Sequence, residues 1–385
     1  MTLPALLGGS PAFADGLPFA RPFAPPLARV TSRLAPSYDR GILTNGPLVR
    51  ELEEVVATRM GVGHVVAVAN CTSGLMLALH ALAPAGPVLL PSFTFSASAH
   101  AISWNGLATR FAECDPATFH LDLEDAATRL DGVGALMATH VFGAPCRPSD
   151  VERLATRVGI PVVFDAAHGF GATHEGRPLG SFGDVEVFSM SPTKPVVAGE
   201  GGLVTTNRAD VAESVRLGRD YGNPGDYDTR FVGLNARMSE LHAAVALCSI
   251  DEVDMHLEIR RTIAGRYLDG LADVPGIATQ AVDRHDSHTW KDFTVAVDPD
   301  AFGVSRDLLV QALRADGIDT RCYFDPPVHR QQSHNQPPVD LPVTDRVASR
   351  VVSLPLYRDL DAAVVDRVVG VISSVHEHAE RVAAG

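Results

Sequence analysis

Four short segments of this chain hold residue types that packing alone does not explain. Lys194 lies in Ser189-Met190-Ser191-Pro192-Thr193-Lys194-Pro195, and Gly199-Glu200-Gly201-Gly202 follows closely. The chain is poor in lysine and rich in arginine. An amine in an apolar, rigidly turned segment is suited to a lowered pKa and to attack on a carbonyl carbon. Asp165, in Asp165-Ala166-Ala167-His168-Gly169, directly follows the apolar run Val162–Phe164. A carboxylate there needs a cationic or hydrogen-bonding partner. Asn70-Cys71-Thr72-Ser73-Gly74 is a small-residue turn opening a helical stretch, which presents free N–H groups and a positive dipole end to an anion such as a phosphate. Pro91-Ser92-Phe93-Thr94-Phe95 offers two aromatics, either of which can lie against a flat ring. Taken singly, each segment has an ordinary reading: a helix cap, core aromatics, a capping Asp, a surface lysine.

The elements that must position these residues follow from periodicity. Short β-branched runs (Val65–Val68, Val88–Leu90, Leu136–Val141, Val162–Phe164, Val185–Phe188, Leu203–Thr206) alternate with helix-length segments such as Leu75–Leu82, Leu123–Leu130 and Ser149–Val158. Continuous apolar strands separated by helices imply a mostly parallel sheet covered on both faces. In such sheets ligands sit at the carboxyl ends of the strands, where all four segments fall. The alternation fades after about residue 207. Ser239–Arg266 reads as one long helix, Trp290–Val297 as a strand and Arg306–Asp316 as a helix, with a last helix near the end. The expected division is an arm over 1–40, a large α/β domain over 41–255 and a smaller α+β domain over 256–385. The arm is Pro-rich and reads as irregular.

Composition narrows the classes. The 385 residues carry 32 Lys and Arg against 46 Asp and Glu, a net charge of −14, so a nucleic-acid or anionic-membrane partner is not expected. An anionic substrate therefore needs a local basic pocket. Five scattered cysteines without a C-x-x-C pair argue against a disulfide framework or a cysteine-rich metal site, and for a reducing, cytoplasmic setting. Ala12-Phe13-Ala14 mimics a signal cleavage site, but no basic leading region precedes it, and Gly8, Gly9 and Pro11 break the apolar stretch.

Together, a phosphate cradle, a ring-stacking aromatic, a carboxylate and a lysine, in that order on successive strands, are the parts of a pyridoxal 5'-phosphate site. The lysine forms a Schiff base with the cofactor aldehyde, and the carboxylate keeps the ring nitrogen protonated. At about 3 Å and an effective dielectric near 20, that pair attracts by roughly 5 kcal/mol before desolvation.

These segments resemble the sugar aminotransferases named after DegT, DnrJ, EryC1 and StrS. Thr44-Asn45-Gly46-Pro47, Gly233-Leu234-Asn235-Ala236-Arg237-Met238, Tyr323 through His329 and Leu354-Pro355 extend the likeness. It runs from about Gly46 to Leu356. The resemblance implies a pyridoxal-phosphate-dependent transferase of fold type I. It assigns Lys194 to the Schiff base, Asp165 to the ring nitrogen and His168 to the ring's neighbourhood. Cys71, Thr72 and Ser189 would hold the phosphate, and Phe95 would stack on the ring, with Phe93 as the substitute. Asn235 would reach the phosphate of the partner subunit in a homodimer. Tyr323, His329 and Arg237 would line the substrate pocket. L-Glutamate is the implied amino donor and a sugar nucleotide the acceptor, and no metal is implied. Asp165-Ala166-Ala167-His168 looks more like the enzymes that aminate C4 of a dTDP-4-keto-6-deoxyhexose than those acting at C3. Amination of keto-cyclitols stays open. Lys194 argues against the sugar dehydratases of the family, whose lysine is typically replaced by His, and a non-catalytic regulator would not need all four parts.

Overall fold

The computed structural model describes residues 3–334 and 338–384; Met1 and Thr2 of the arm, 335–337 and Gly385 lie outside it. The large sheet is built from β1 (His64–Val68), β2 (Val88–Pro91), β3 (Thr109–Ala112), β4 (Ala135–Thr139) and β5 (Val162–Asp165). A small hairpin, β6 (Thr173–His174) and β7 (Arg177–Pro178), precedes β8 (Val185–Ser189) and β9 (Gly202–Thr206). The order across the sheet is β1-β9-β8-β5-β4-β2-β3, with β9 the one antiparallel strand. The α/β, mostly parallel architecture is the expected one. The strand Thr109–Ala112 is an addition: its four residues include Thr109 and Arg110, so no apolar run marks it.

Side chains along each strand alternate between two cores, as a period of two requires. Phe164 and Phe188 enter one layer with Leu52, Val56 and Leu247, while Val163 and Val187 enter the other with Leu75, Leu79 and Ile102. A separate core forms around β10 (Ile277–Thr279), β11 (Phe293–Val297) and β12 (Val351–Leu354), an antiparallel sheet packed with Tyr267, Leu309 and Ile372. A small aromatic cluster, Phe93, Phe119, Phe142 and Phe324, joins the two regions.

Three local outcomes differ from the sequence reading. The first forty residues are not irregular throughout: α1 (Leu27–Asp39) begins after Pro26, buries Val30 and pairs Arg29 with Asp251 and Glu252. Before it, the arm lies along the small core, where Phe13 and Leu17 donate backbone N–H groups to the carbonyls of Asp316 and Gly317. Ser239–Arg266 is broken into helices Glu240–Ile250 and Val253–Leu271; the residues at the break, Asp251 and Glu252, are those that take Arg29. The second helix crosses the expected 255/256 division, with Leu257 in the first core and Tyr267 in the small one. The strand expected from Trp290 begins at Phe293 instead, because Trp290 is in the left-handed region at φ 50°.

One buried charge anchors α2 (Pro47–Met60). Glu240 is fully buried, and its carboxylate accepts the N–H groups of Gly46, Leu48 and Val49 at 2.9–3.0 Å and the Ser37 hydroxyl at 2.8 Å. It serves as a cap supplied from 191 to 194 residues away, satisfying donors at the positive end of a helix. Glu240→Ala would orphan all of them at once. The expected loss is about 3 kcal/mol or more, and Glu240→Gln, which keeps an acceptor, should lose about half as much. A urea midpoint unchanged in Glu240→Ala would refute the assignment.

Candidate active site

The carboxyl ends of β1, β5 and β8 open on one side of the sheet, and the chain places its reactive residues there. After β1, Asn70 caps α3 (Cys71–Leu82), its side-chain oxygen accepting the Ser73 N–H at 2.8 Å. The N–H groups of Cys71 and Thr72 in that first turn have no intrahelical acceptor and are available to an anion. Gly202, at the start of β9, lets this turn sit close: a Cβ there would lie 2.6 Å from the Asn70 carbonyl carbon. The Gly199-Glu200-Gly201-Gly202 motif thus has a packing reason at its last position.

Asp165 ends β5 and is 3% exposed. Ser98 Oγ, from α4 (Ser96–Trp104), donates to its Oδ2 at 2.6 Å, and the Ala167 N–H donates to Oδ1 at 3.1 Å. Behind Ser98, Thr94 Oγ1 stands 3.0 Å from both Ser98 Oγ and Thr139 Oγ1. This hydroxyl chain fixes the carboxylate's orientation. Neither Ser98 nor Thr94 was singled out in the sequence for this role, since nothing local links them to a residue 67 positions away.

Lys194, Asp165, Cys71, Thr72, Ser189, His168, Phe95 and Tyr323 all line one cavity of about 340 Å³. Burial, then the neighbouring Lys291 ammonium, pushes the Lys194 amine down to about 8. Burial, then the Asp165 charge, raises the Cys71 thiol well above its ordinary range, and its Sγ lies 3.6 Å from the Val187 carbonyl. Cys71 is thus a neutral thiol rather than a nucleophile. Burial, with Lys194 next, holds His168 well below the usual histidine range, so its ring is neutral; its buried Nδ1 has no hydrogen-bond partner. Phe95 and Phe93 separate cleanly. Phe95 is 59% exposed on the cavity, while Phe93 is fully buried against Phe119, Phe142 and Phe324.

Three expected positions stand outside the cavity. His329 is buried behind β2, with Nδ1 2.7 Å from Ser92 Oγ and Nε2 3.2 Å from Asp345 Oδ1. Its Nδ1 meets Ser92 and its Nε2 lies near the Asp345 carboxylate, so it does not line the cavity that holds Lys194. Arg237 pairs with Asp220 at 3.1 Å and bonds Asn235 Oδ1 at 3.2 Å. Asn235 itself is exposed. Two charged cavity residues, Lys291 and Asp292, which precede β11, lie outside every segment that the sequence marked. The available signal was the rarity of lysine.

The donor set fits pyridoxal phosphate. The α3 turn closed by Gly202 and the Thr72 and Ser189 hydroxyls suit a phosphate, and a buried carboxylate suits a protonated ring nitrogen. The unpartnered His168 nitrogen and the exposed face of Phe95 provide further contacts for a polar-substituted ring. No group of three or more His, Cys, Asp or Glu among the described residues is placed to hold a metal ion. No helix among them is long and apolar enough to cross a membrane.

Comparison with known proteins gives the family and the fold. The DegT/DnrJ/EryC1/StrS aminotransferase family matches residues 28–373. The dTDP-4-amino-4,6-dideoxy-D-glucose transaminase of Escherichia coli is 29% identical over 361 residues, 91% of this chain and 96% of that protein. The UDP-N-acetyl-3-dehydro-alpha-D-glucosamine 3-aminotransferase of Acidithiobacillus ferrooxidans is 30% identical over 91% of this chain and 94% of its own. The crystal structure of DesI in the presence of its TDP-sugar product superposes with a TM-score of 0.92 at 38% identity, covering 99% of this chain and 98% of that one. With one family accounting for nearly all of the sequence and one fold carried from end to end, this chain belongs to the DegT/DnrJ/EryC1/StrS family of pyridoxal-phosphate-dependent sugar-nucleotide aminotransferases.

Proposed function

We propose that this enzyme transfers the amino group of L-glutamate to C4 of a dTDP-4-keto-6-deoxyhexose, releasing 2-oxoglutarate and the 4-amino sugar. The observation that carries the reading is the meeting of Lys194, Asp165 and the α3 turn in one cavity. The choice of C4 is supported by the Asp165-Ala166-Ala167-His168 segment and by the activity of the Escherichia coli relative, a dTDP-4-amino-4,6-dideoxy-D-glucose transaminase. The Acidithiobacillus relative, matched to a similar degree, favours C3 as the second reading.

When bound, pyridoxal phosphate supplies an electrophilic aldehyde carbon and an electron-accepting ring. In this reading the Cys71 and Thr72 N–H groups and the Thr72 and Ser189 hydroxyls hold its phosphate. Asp165 would keep the ring nitrogen protonated, and Phe95 and the neutral imidazole of His168 would offer further contacts to the ring. Lys194 Nζ removes the proton from the α-carbon of the amino donor and, in the second half-reaction, delivers one to C4 of the sugar. Only the neutral amine can do the first, which is why burial beside a second cation is useful. Tyr323, which lines the same cavity, would contact the substrate. Asn235 lies on a segment whose Tyr227 and Val232 are 94% and 95% exposed. That apolar exposure supports a homodimer in which Asn235 completes the partner's site.

The test is the visible spectrum of the purified protein. Addition of L-glutamate alone should bleach the cofactor band with stoichiometric 2-oxoglutarate. A panel of nucleotide-linked 3-keto and 4-keto sugars should then show which restores it, and NMR of the product gives the aminated carbon. A band that ignores glutamate would defeat the donor assignment, and return of the band only with 3-keto sugars would establish the second reading.

A further inference from the structure

Of the 32 Lys and Arg residues in this chain only two are lysines, Lys194 and Lys291, and both line the same cavity. No arginine lines it. Lys291 is deeply buried, its side chain 6% exposed, with Nζ 2.7 Å from Asp292 Oδ1. That bond occupies one of three ammonium donors. Asp292 is equally buried, and its second oxygen, Oδ2, has no hydrogen-bond partner. A pair serving only to neutralise itself would be an expensive way to line a cavity, because each buried charge must be desolvated. Here the pair retains unused donors and an unused acceptor beside the reactive lysine. Its backbone is held firmly: Lys291 N–H donates to the Phe142 carbonyl at 3.0 Å, and the Arg260 guanidinium binds the Trp290 carbonyl at 2.9 Å.

We propose that Lys291 is the carboxylate-binding residue for the amino donor, held in position by Asp292. The proposal rests on the reading that the donor is L-glutamate. A chain of net charge −14 must attract a dicarboxylate locally, and once Lys194 is engaged with the cofactor, Lys291 is the remaining ammonium in the cavity among the described residues. Its closeness to Lys194 is consistent with this placement, since its charge is the second cause of the depressed Lys194 amine.

In the holoenzyme, Lys291→Gln should raise the L-glutamate concentration for half-maximal bleaching, and the dissociation constant of 2-oxoglutarate, by about tenfold or more. The keto-sugar concentration for half-maximal return of the band should change by less than about threefold, and Lys291→Arg, which keeps the charge, should hold the dicarboxylate within about threefold of the wild type. Glutamate affinity unchanged in Lys291→Gln, or equal weakening toward both substrates, would overturn the proposal. Should Lys291→Gln fail to fold, the wild-type chain still answers. With two lysine sites to read by mass spectrometry, 2-oxoglutarate should protect Lys291 from acetylation, and absence of protection counts against it. A wild-type band that ignores glutamate would instead bring down the functional reading on which the proposal depends.

Discussion

Lys194→Ala is expected to retain the fold and lose turnover, by at least about a thousandfold, which is within the range for removing a positioned proton-transfer group. The loss should fall on both half-reactions, because one amine serves both the donor α-carbon and the sugar carbon. Stoichiometric bleaching by glutamate at a wild-type rate in Lys194→Ala would show that another base carries the proton. The same residue makes a second, cofactor-independent statement. In the cofactor-free chain the neutral Lys194 amine, the form that reacts with an acylating reagent, should appear as pH rises through about 8. An ordinary lysine shows that transition near pH 10.4. The direction follows from the cause: burial and the Lys291 charge disfavour the ammonium, so the proton is lost earlier. Labelling of the Lys194 peptide followed against pH checks it, and a midpoint above 10 would remove the physical basis for its role as base.

Asp165→Asn is the second large effect. The substitution preserves shape and leaves an oxygen to accept from Ser98, so the local hydroxyl chain to Thr94 and Thr139 can persist. What disappears is the negative charge. Breaking a buried charge pair costs about 3–5 kcal/mol, and each 1.36 kcal/mol placed on the barrier is a factor of about ten. The expected fall in turnover is therefore about two to four decades, with cofactor still captured at high added concentration. A smaller and informative companion is Ser98→Ala, which removes the orienting hydroxyl but not the charge, and should slow turnover by about three- to tenfold through misorientation. If Asp165→Asn turned over within tenfold of the wild type, the carboxylate would be structural, a terminal residue of β5 satisfied by Ser98 and Ala167 alone.

The parts legible in the sequence are those written contiguously. Strand, turn and helix follow one another at Val65–Gly74, at Val162–Gly169 and at Val185–Gly202, so the turn residues are placed at strand ends by local order alone. Lys194, Asp165, Thr72 and Ser189 all lie on these segments, and all four line the cavity. Composition added that an anionic substrate needs cations supplied locally; both lysines of the chain, Lys194 and Lys291, line the cavity, together with the carboxylates Asp165, Glu200 and Asp292.

Other features depend on segments far apart in the chain. Phe93 and Phe95 are equal candidates as letters, and only the packing of Phe119, Phe142 and Phe324 around Phe93 leaves Phe95 for the cavity. His329 resembles a pocket residue by motif, yet its ring lies against Ser92 and near Asp345, outside the cavity lining. Ser98 reaches Asp165 across 67 residues, Glu240 caps α2 across about 190, and the arm binds Gly317 from Leu17. Lys291 comes from the segment before β11, and it meets Lys194 only because that segment is folded against the strand ends of the large sheet. By itself, then, the sequence determined the α/β order and the placing of Lys194 and Asp165 at strand ends, because backbone periodicity and turn chemistry act over a few residues. The tertiary structure alone decided which aromatic faces the site, how the carboxylate is oriented and which second cation shares the cavity, because burial and electrostatic coupling depend on distance in space and not on separation along the chain.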